Sequence, residues 1–221
     1  MDEDIISQII IDGDNKALAL VLDEDPNVAT APFVEPRMVE EISHWIYASD
    51  TVLHFAAAAH RADMASSLLG AGALINVINR RGASPLHYAA DGYPESDQWD
   101  AAAQVQTLTI LLQGGADVDL ADSNGATALH RAVRTRCADA VRSLVSYGAD
   151  VEARNKSGST AFHLAVQNTG RGGTGSDRSK RLQFEIIAAF KENGVSVELK
   201  DGKGRTVLDC CQSGEVRDLL S

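Results

Sequence analysis

Residues 82–90 read Gly-Ala-Ser-Pro-Leu-His-Tyr-Ala-Ala, and residues 111–118 read Leu-Leu-Gln-Gly-Gly-Ala-Asp-Val. Ser84 is of a type that accepts hydrogen bonds from the free N–H groups at a helix start. The alanines after it allow a first helix to pack closely on its neighbours. Leu111 and Leu112 belong to a second, more apolar helix, and Gly115 ends it in a left-handed turn. One such stretch predicts a helix–turn–helix unit with a single apolar face.

The stretch recurs. DTVLHFAAA from Asp50, ATALHRAVR from Ala126 and STAFHLAVQ from Ser159 align with ASPLHYAAD from Ala83, and RTVLDCCQS from Arg205 keeps the frame with Asp209 in the histidine slot. His54, His87, His130 and His163 are spaced by 33, 43 and 33 residues, and Asp209 follows after 46. From His54 to Gly72 is 18 residues, as from His130 to Gly148, but His87 to Gly115 is 28 and His163 to Gly194 is 31. The unit is therefore 33 residues long, and two copies carry insertions of ten and thirteen residues at the same place, between their two helices. Such units cannot bury their apolar face alone, and stacking supplies the partner.

The frame resembles the ankyrin repeat, with its 33-residue period and T-P-L-H-x-A signature. The resemblance covers about residues 48–221. Only Pro85 fills the proline slot, and the first copy has Ser49 where the others carry a finger glycine. It implies an all-α ankyrin-repeat solenoid with N- and C-terminal capping units, in one domain. Its expected divisions are a helical cap at 1–30, an insertion at 31–50, repeats at 51–79, 80–122, 123–155 and 156–200, and a truncated cap at 201–221. The cap is read as two short helices over residues 3–23, broken at Gly13–Asp14. The 31–50 insertion holds Met38, Ile42, Trp45 and Ile46 at helical spacing. It is expected to form an extra cap helix, or else to present Trp45 and Tyr47 to a partner.

The resemblance implies that the four histidines join neighbouring units through hydrogen bonds. They fall one per unit, in a row, so no common metal ion is expected. His44 and His60 lie outside the frame, with no carboxylate or cysteine at metal-ligand spacing. The three cysteines, Cys137, Cys210 and Cys211, form no disulfide framework. Cys137 is expected at an exposed turn. Gly170 to Gly175 spells G-x-G-x-x-G, but it follows no strand and no P-loop lysine comes after it, so it reads as a loop. No nucleophile is paired with a base, so no enzyme, cofactor or metal is expected.

The chain has 31 acidic against 20 basic residues. That balance argues against nucleic acid as a partner. Residues 1–50 hold twelve acids and two bases, a net −10, while the rest is nearly balanced. No apolar run is long enough to span a membrane. The first twenty residues are acidic where a secretory signal is basic, so a cytoplasmic location and no membrane partner are expected.

Non-catalytic binding of a protein partner, by a monomer, is thus the expected function. In the family, finger tips and the exposed side of the first helices carry the contacts. Here those positions are Arg80, Arg81, Ala83 and Asp91, then Ser123, Asn124, Arg134 and Thr135, then Lys156, Ser157, Gln167 and Asn168. Their arginines and lysine form a mildly basic stripe, which suggests an acidic protein segment. The first insertion is acidic and aromatic, with Tyr93 and Trp99, and the second is basic, with Arg171 and Arg178. Both leave the stack on one side and could form a joint contact. The alternative function is a dedicated inhibitor whose acidic N-terminal quarter occupies a basic protein or enzyme.

Overall fold

A computed structural model describes residues 2–96, 99–167 and 175–221. Two helices open the chain, α1 (Glu3–Asp12) and α2 (Asn15–Glu24), capped by the carboxylates of Asp2 and Asp14. A 3₁₀ turn (Pro26–Ala29) leads into a two-stranded antiparallel hairpin, β1 (Arg37–Val39) and β2 (His44–Ile46). Helix pairs follow: α3 (Val52–Ala58) with α4 (Ala62–Gly70), α5 (Pro85–Ala90) with α6 (Ala101–Gln113), α7 (Ala128–Arg134) with α8 (Ala138–Ser146), α9 (Ala161–Ala165) with α10 (Asp177–Glu192), and α11 (Val207–Cys210) with α12 (Gly214–Leu220). First helices pack on first helices and second on second, from α3 through α5, α7, α9 and α11, and from α4 through α6, α8, α10 and α12. This is an all-α repeat fold with one small hairpin added.

Two kinds of residue let the pairs close. Ala56, Ala57, Ala89, Ala90, Ala132 and Ala165 are buried between first helices, where a larger side chain would hold the backbones apart. Leu68, Leu108, Leu111, Leu144, Ile186 and Phe190 fill the space beneath, with Phe162 stacked on Phe190 at 4.6 Å.

Each histidine forms a bridge. The backbone N–H of Thr51, Ser84 and Thr127 donates to Nδ1 of His54, His87 and His130, at 3.1, 3.1 and 3.3 Å. Nε2 of His54, His87, His130 and His163 then donates to the carbonyl of Ala83, Ala126, Ser159 and Arg205 in the next unit, at 2.9–3.1 Å. For the first three, a ring that accepts at Nδ1 and donates at Nε2 is neutral, with its proton on Nε2.

A second ladder runs along the fingers. Asn79, Asp122, Asn155 and Asp201 each accept two backbone N–H groups of their own turn through one side-chain oxygen. Successive fingers are tied by Ser123 N–H to Arg81 O, Lys156 N–H to Asn124 O, and Gly202 N–H to Gly158 O.

Residues 31–50 depart from the expected cap helix. Spacing at Met38, Ile42, Trp45 and Ile46 fits a helix, but the burial alternates with period two: Val39 and Ile46 are buried while their neighbours Met38 and Trp45 are exposed. Pro36 holds the preceding residue extended, and Ser43 takes a left-handed conformation at the tip. Phe33 and Asp50 close the base of the arm by backbone bonds, so the segment is a lengthened first finger. Arg37 anchors it to Glu3 and Asp4.

Ser49 stands where later fingers have Gly82, Gly125, Gly158 and Gly204, and it keeps their positive φ, at 80°. A side chain in this conformation costs about 1 kcal/mol. Ser49→Gly is therefore expected to stabilise the protein by about 0.5 kcal/mol, after the added freedom of the unfolded chain is subtracted. Urea unfolding reads this directly, and a lowered midpoint would contradict it.

Candidate functional site

The inserted segments shape one side of the groove. In the two units that carry helix-turn insertions, the first helix is short and its last carbonyls face inward. A glutamine from the second helix satisfies them: Gln104 Nε2 donates to Ala89 O and Asp91 O, and Gln183 Nε2 to Ala165 O and Gln167 O. The loop after α5 is then fixed from several sides. Trp99 sets its ring edge-to-face against His60 at 5.1 Å. Gly92 is needed beneath it, because a Cβ there would lie 2.4 Å from the Trp99 ring and 2.6 Å from Cys137 Sγ.

The two helix-turn insertions meet. Arg178, at the start of α10, donates to the carbonyls of Pro94 and Ser96, and Ser179 donates to Glu95 at 2.5 Å. Arg136, in the turn between α7 and α8, lies 3.5 Å from the same Glu95.

Facing this loop across the groove is the hairpin. Between them lies a cleft of about 970 Å³. Asp91, the residue that ends α5, is part of its lining. Its carboxylate contacts Arg131 at 2.8 Å, Arg134 at 3.3 Å and His44 of β2 at 3.5 Å. Arg131 continues to Asp122 at 3.2 Å. Burial pushes the Asp91 carboxyl up, but the hydrogen bond from His44 and the charges of Arg131, His44 and Arg134 prevail and hold it down at about 2. His44 also packs on Tyr88 at 4.6 Å. Tyr88 donates to the buried Asp50, which also accepts from Asn79, so the hairpin base, the second finger and α5 share one carboxylate. Burial and the Asp50 charge push the Tyr88 hydroxyl strongly up. Arg81 lies over the ring of Tyr47 at 3.8 Å.

Residues 99–174 match the family model for ankyrin repeats (3 copies). That stretch is thus similar to ankyrin repeats. None of the curated proteins matches it. Ankyrin repeats generally mediate protein–protein interaction and are typically non-catalytic. No helix among the described residues is long and apolar enough to cross a membrane.

Of the ankyrin surface positions expected to meet a partner, the cleft gathers Arg81, Asp91, Asn124, Arg134, Thr135, Tyr93 and Trp99. Arg80, Ser123, Lys156 and Ser157 are exposed at finger tips outside it, and Gln167 is exposed beyond α9. Four expectations need correction. Asp91 is not an open groove residue: its side chain is 11% exposed and bound to Arg131, Arg134 and His44. Ala83 is buried between fingers. Cys137 is buried rather than exposed, and burial pushes its thiol up to about 11, which leaves it unreactive at neutral pH. Arg178 is half-buried and spent on loop carbonyls. Arg171, Asn168 and nearly all of the G-x-G-x-x-G stretch lie outside the described residues.

The cleft also contains residues that the repeat frame does not single out, notably Glu40, Glu41, His44, His60 and Arg131. Nothing local in the sequence marks His44 and Asp91 as neighbours. The finger Asn/Asp ladder was detectable, since Asn79, Asp122, Asn155 and Asp201 repeat at the histidine spacings. His163, Asp201 and Cys210 present ligand-type atoms within 4.8 Å of one another. His163 Nε2 is already on Arg205 O, and Asp201 already accepts from Lys203 and Arg205, so these atoms build the last finger.

Asp91→Ala leaves Arg131 buried with half its partners and is expected to cost about 3 kcal/mol. Arg134→Ala removes a side chain that is 65% exposed and is expected to cost less than about 0.5 kcal/mol. Urea midpoints of the two variants check the contrast, and equal losses would contradict the buried hub.

Burial lowers His54, His87 and His130, with His87 down to about 4. The unfolded chain takes up protons at these sites near pH 6.5 and the folded one resists. Stability therefore falls as pH drops from about 6.5 towards 4, by on the order of 3 kcal/mol for His87 alone. The Asp91 contribution is lost only later, as pH falls from about 3.8 to 2. A urea midpoint unchanged between pH 7.5 and 4.5 would contradict neutral bridging histidines.

Proposed function

We propose that this chain is a non-catalytic module that binds a protein partner through its groove, finger tips and inserted loops, with the cleft as the centre of the contact. The observation that carries the reading is a pair of exposed aromatics on opposite walls. Trp45 on the hairpin is 47% exposed and Tyr93 on the loop 60% exposed, and both line the cleft. Large aromatics left open beside guanidinium groups are the usual anchors of protein interfaces. Because the walls are held by the Asp91 hub and by contact between the insertions, little order has to be gained on binding.

The helix pairs are proposed to form a solenoid, with residues 1–30 and 201–221 as its caps, acting as a cytoplasmic monomer. Reading the acidic N-terminal quarter as an inhibitor arm has less support. Asp2, Asp14 and Asp25 cap helices, Glu3 and Asp4 hold Arg37, and Asp50 is buried, so half of those acids already serve the fold.

Affinity capture from a native lysate with mass spectrometry tests the reading. Trp45→Ala with Tyr93→Ala is expected to weaken the stoichiometric partner about thirtyfold, the effect of roughly 2 kcal/mol. Tyr147→Ala, just after α8, is the comparison and is expected to leave capture intact. Capture that survives the cleft variant and fails in the Tyr147 variant would overturn it.

A further inference from the structure

The cleft is divided by charge along the hairpin, from Arg81 at its base to Glu40 and Glu41 at its tip. Arg81 precedes the first turn of α5, is exposed, and is stacked on Tyr47 at the base of the hairpin. The hairpin runs from this base towards the far end of α5, where its His44 meets Asp91. Its tip carries Glu40 and Glu41, both exposed, and both line the cleft with Tyr93 of the facing loop. Asp91 and Asp122 balance Arg131 and Arg134, so these four charges leave the contrast between the ends in place.

The geometry sets a length. Tyr47, on which Arg81 stacks, lies three residues of extended chain from His44 beside the hairpin tip, which separates the two ends by about 10 Å. An extended chain covers that distance in about three residues. We infer that the cleft takes an extended protein segment of mixed charge: a carboxylate side chain at Arg81, an apolar side chain between Trp45 and Tyr93, and a cationic side chain at Glu40 and Glu41, all within about five residues. This rests on the protein-binding reading and replaces the expectation of an acidic partner with a polar-ended one. The partner is recognised by the order of its charges, because the exposed Arg81 and the exposed Glu40 and Glu41 line different ends of the cleft.

Four synthetic eleven-residue peptides test this on the full chain. One places a glutamate and a lysine two residues either side of a central phenylalanine, in a Gly/Ser background. The others carry two glutamates, two lysines, or serine in place of the phenylalanine. Titration by calorimetry is expected to give the mixed peptide the tightest binding, by about fivefold or more over each control. Arg81→Glu is expected to reverse the order of the mixed and two-lysine peptides. Glu40→Lys with Glu41→Lys is expected to do so for the mixed and two-glutamate peptides. Circular dichroism and the urea midpoint confirm that each variant is folded. Equal binding by all four, binding by none, or indifference to both charge reversals overturns the inference. Where the captured lysate partner still depends on Trp45 and Tyr93 in that case, the protein-binding reading stands and only the charge order falls.

Discussion

An imidazole that accepts a hydrogen bond from the start of its own helix, and donates one to a carbonyl of the next unit, sets where each unit sits on its neighbour. The helix pairs have an apolar face too large to hide within the pair, so they must be stacked. Hydrophobic contact alone is non-directional and would allow sliding. The bridges from His54, His87, His130 and His163 remove that freedom, because each donor has one acceptor within reach. Burial keeps the bridging rings of His54, His87 and His130 neutral, which is the state the geometry requires.

Three insertions use this rigid frame in different ways. Two lengthen a second helix and spare their short first helix an unsatisfied end, through Gln104 and Gln183. The third turns the first finger into a hairpin that reaches across the groove. Asp91 joins them: its side chain holds His44 of the hairpin and two arginines of α7, while its carbonyl accepts from His60 and Gln104. A cleft walled by separate segments is thereby held open without either wall being part of the repeat itself. Removing a buried carboxylate with so many partners has a larger effect than removing any exposed charge around it, because the buried Arg131 left behind remains desolvated.

The helix pairs, their order, the period and the bridging histidines were legible in the chain, since each is a local pattern repeated at a fixed interval. The finger ladder of Asn79, Asp122, Asn155 and Asp201 was legible by the same logic. The hairpin was not. Met38, Ile42, Trp45 and Ile46 satisfy a helical template, and only the alternation of Val39 and Ile46 inward against Met38 and Trp45 outward distinguishes the two. That alternation depends on a core lying on one side, which a single segment does not reveal.

Amino-acid order alone thus determined the unit, its capping residues and the stacking of like faces, because these arise from short-range propensities and from apolar surface that one pair cannot bury. Tertiary structure decided the cleft. His44, Asp91 and Arg131 come from the hairpin, α5 and α7, far apart along the chain, and whether a charged residue is a free surface contact or a buried hub depends on which segments the stack brings over it.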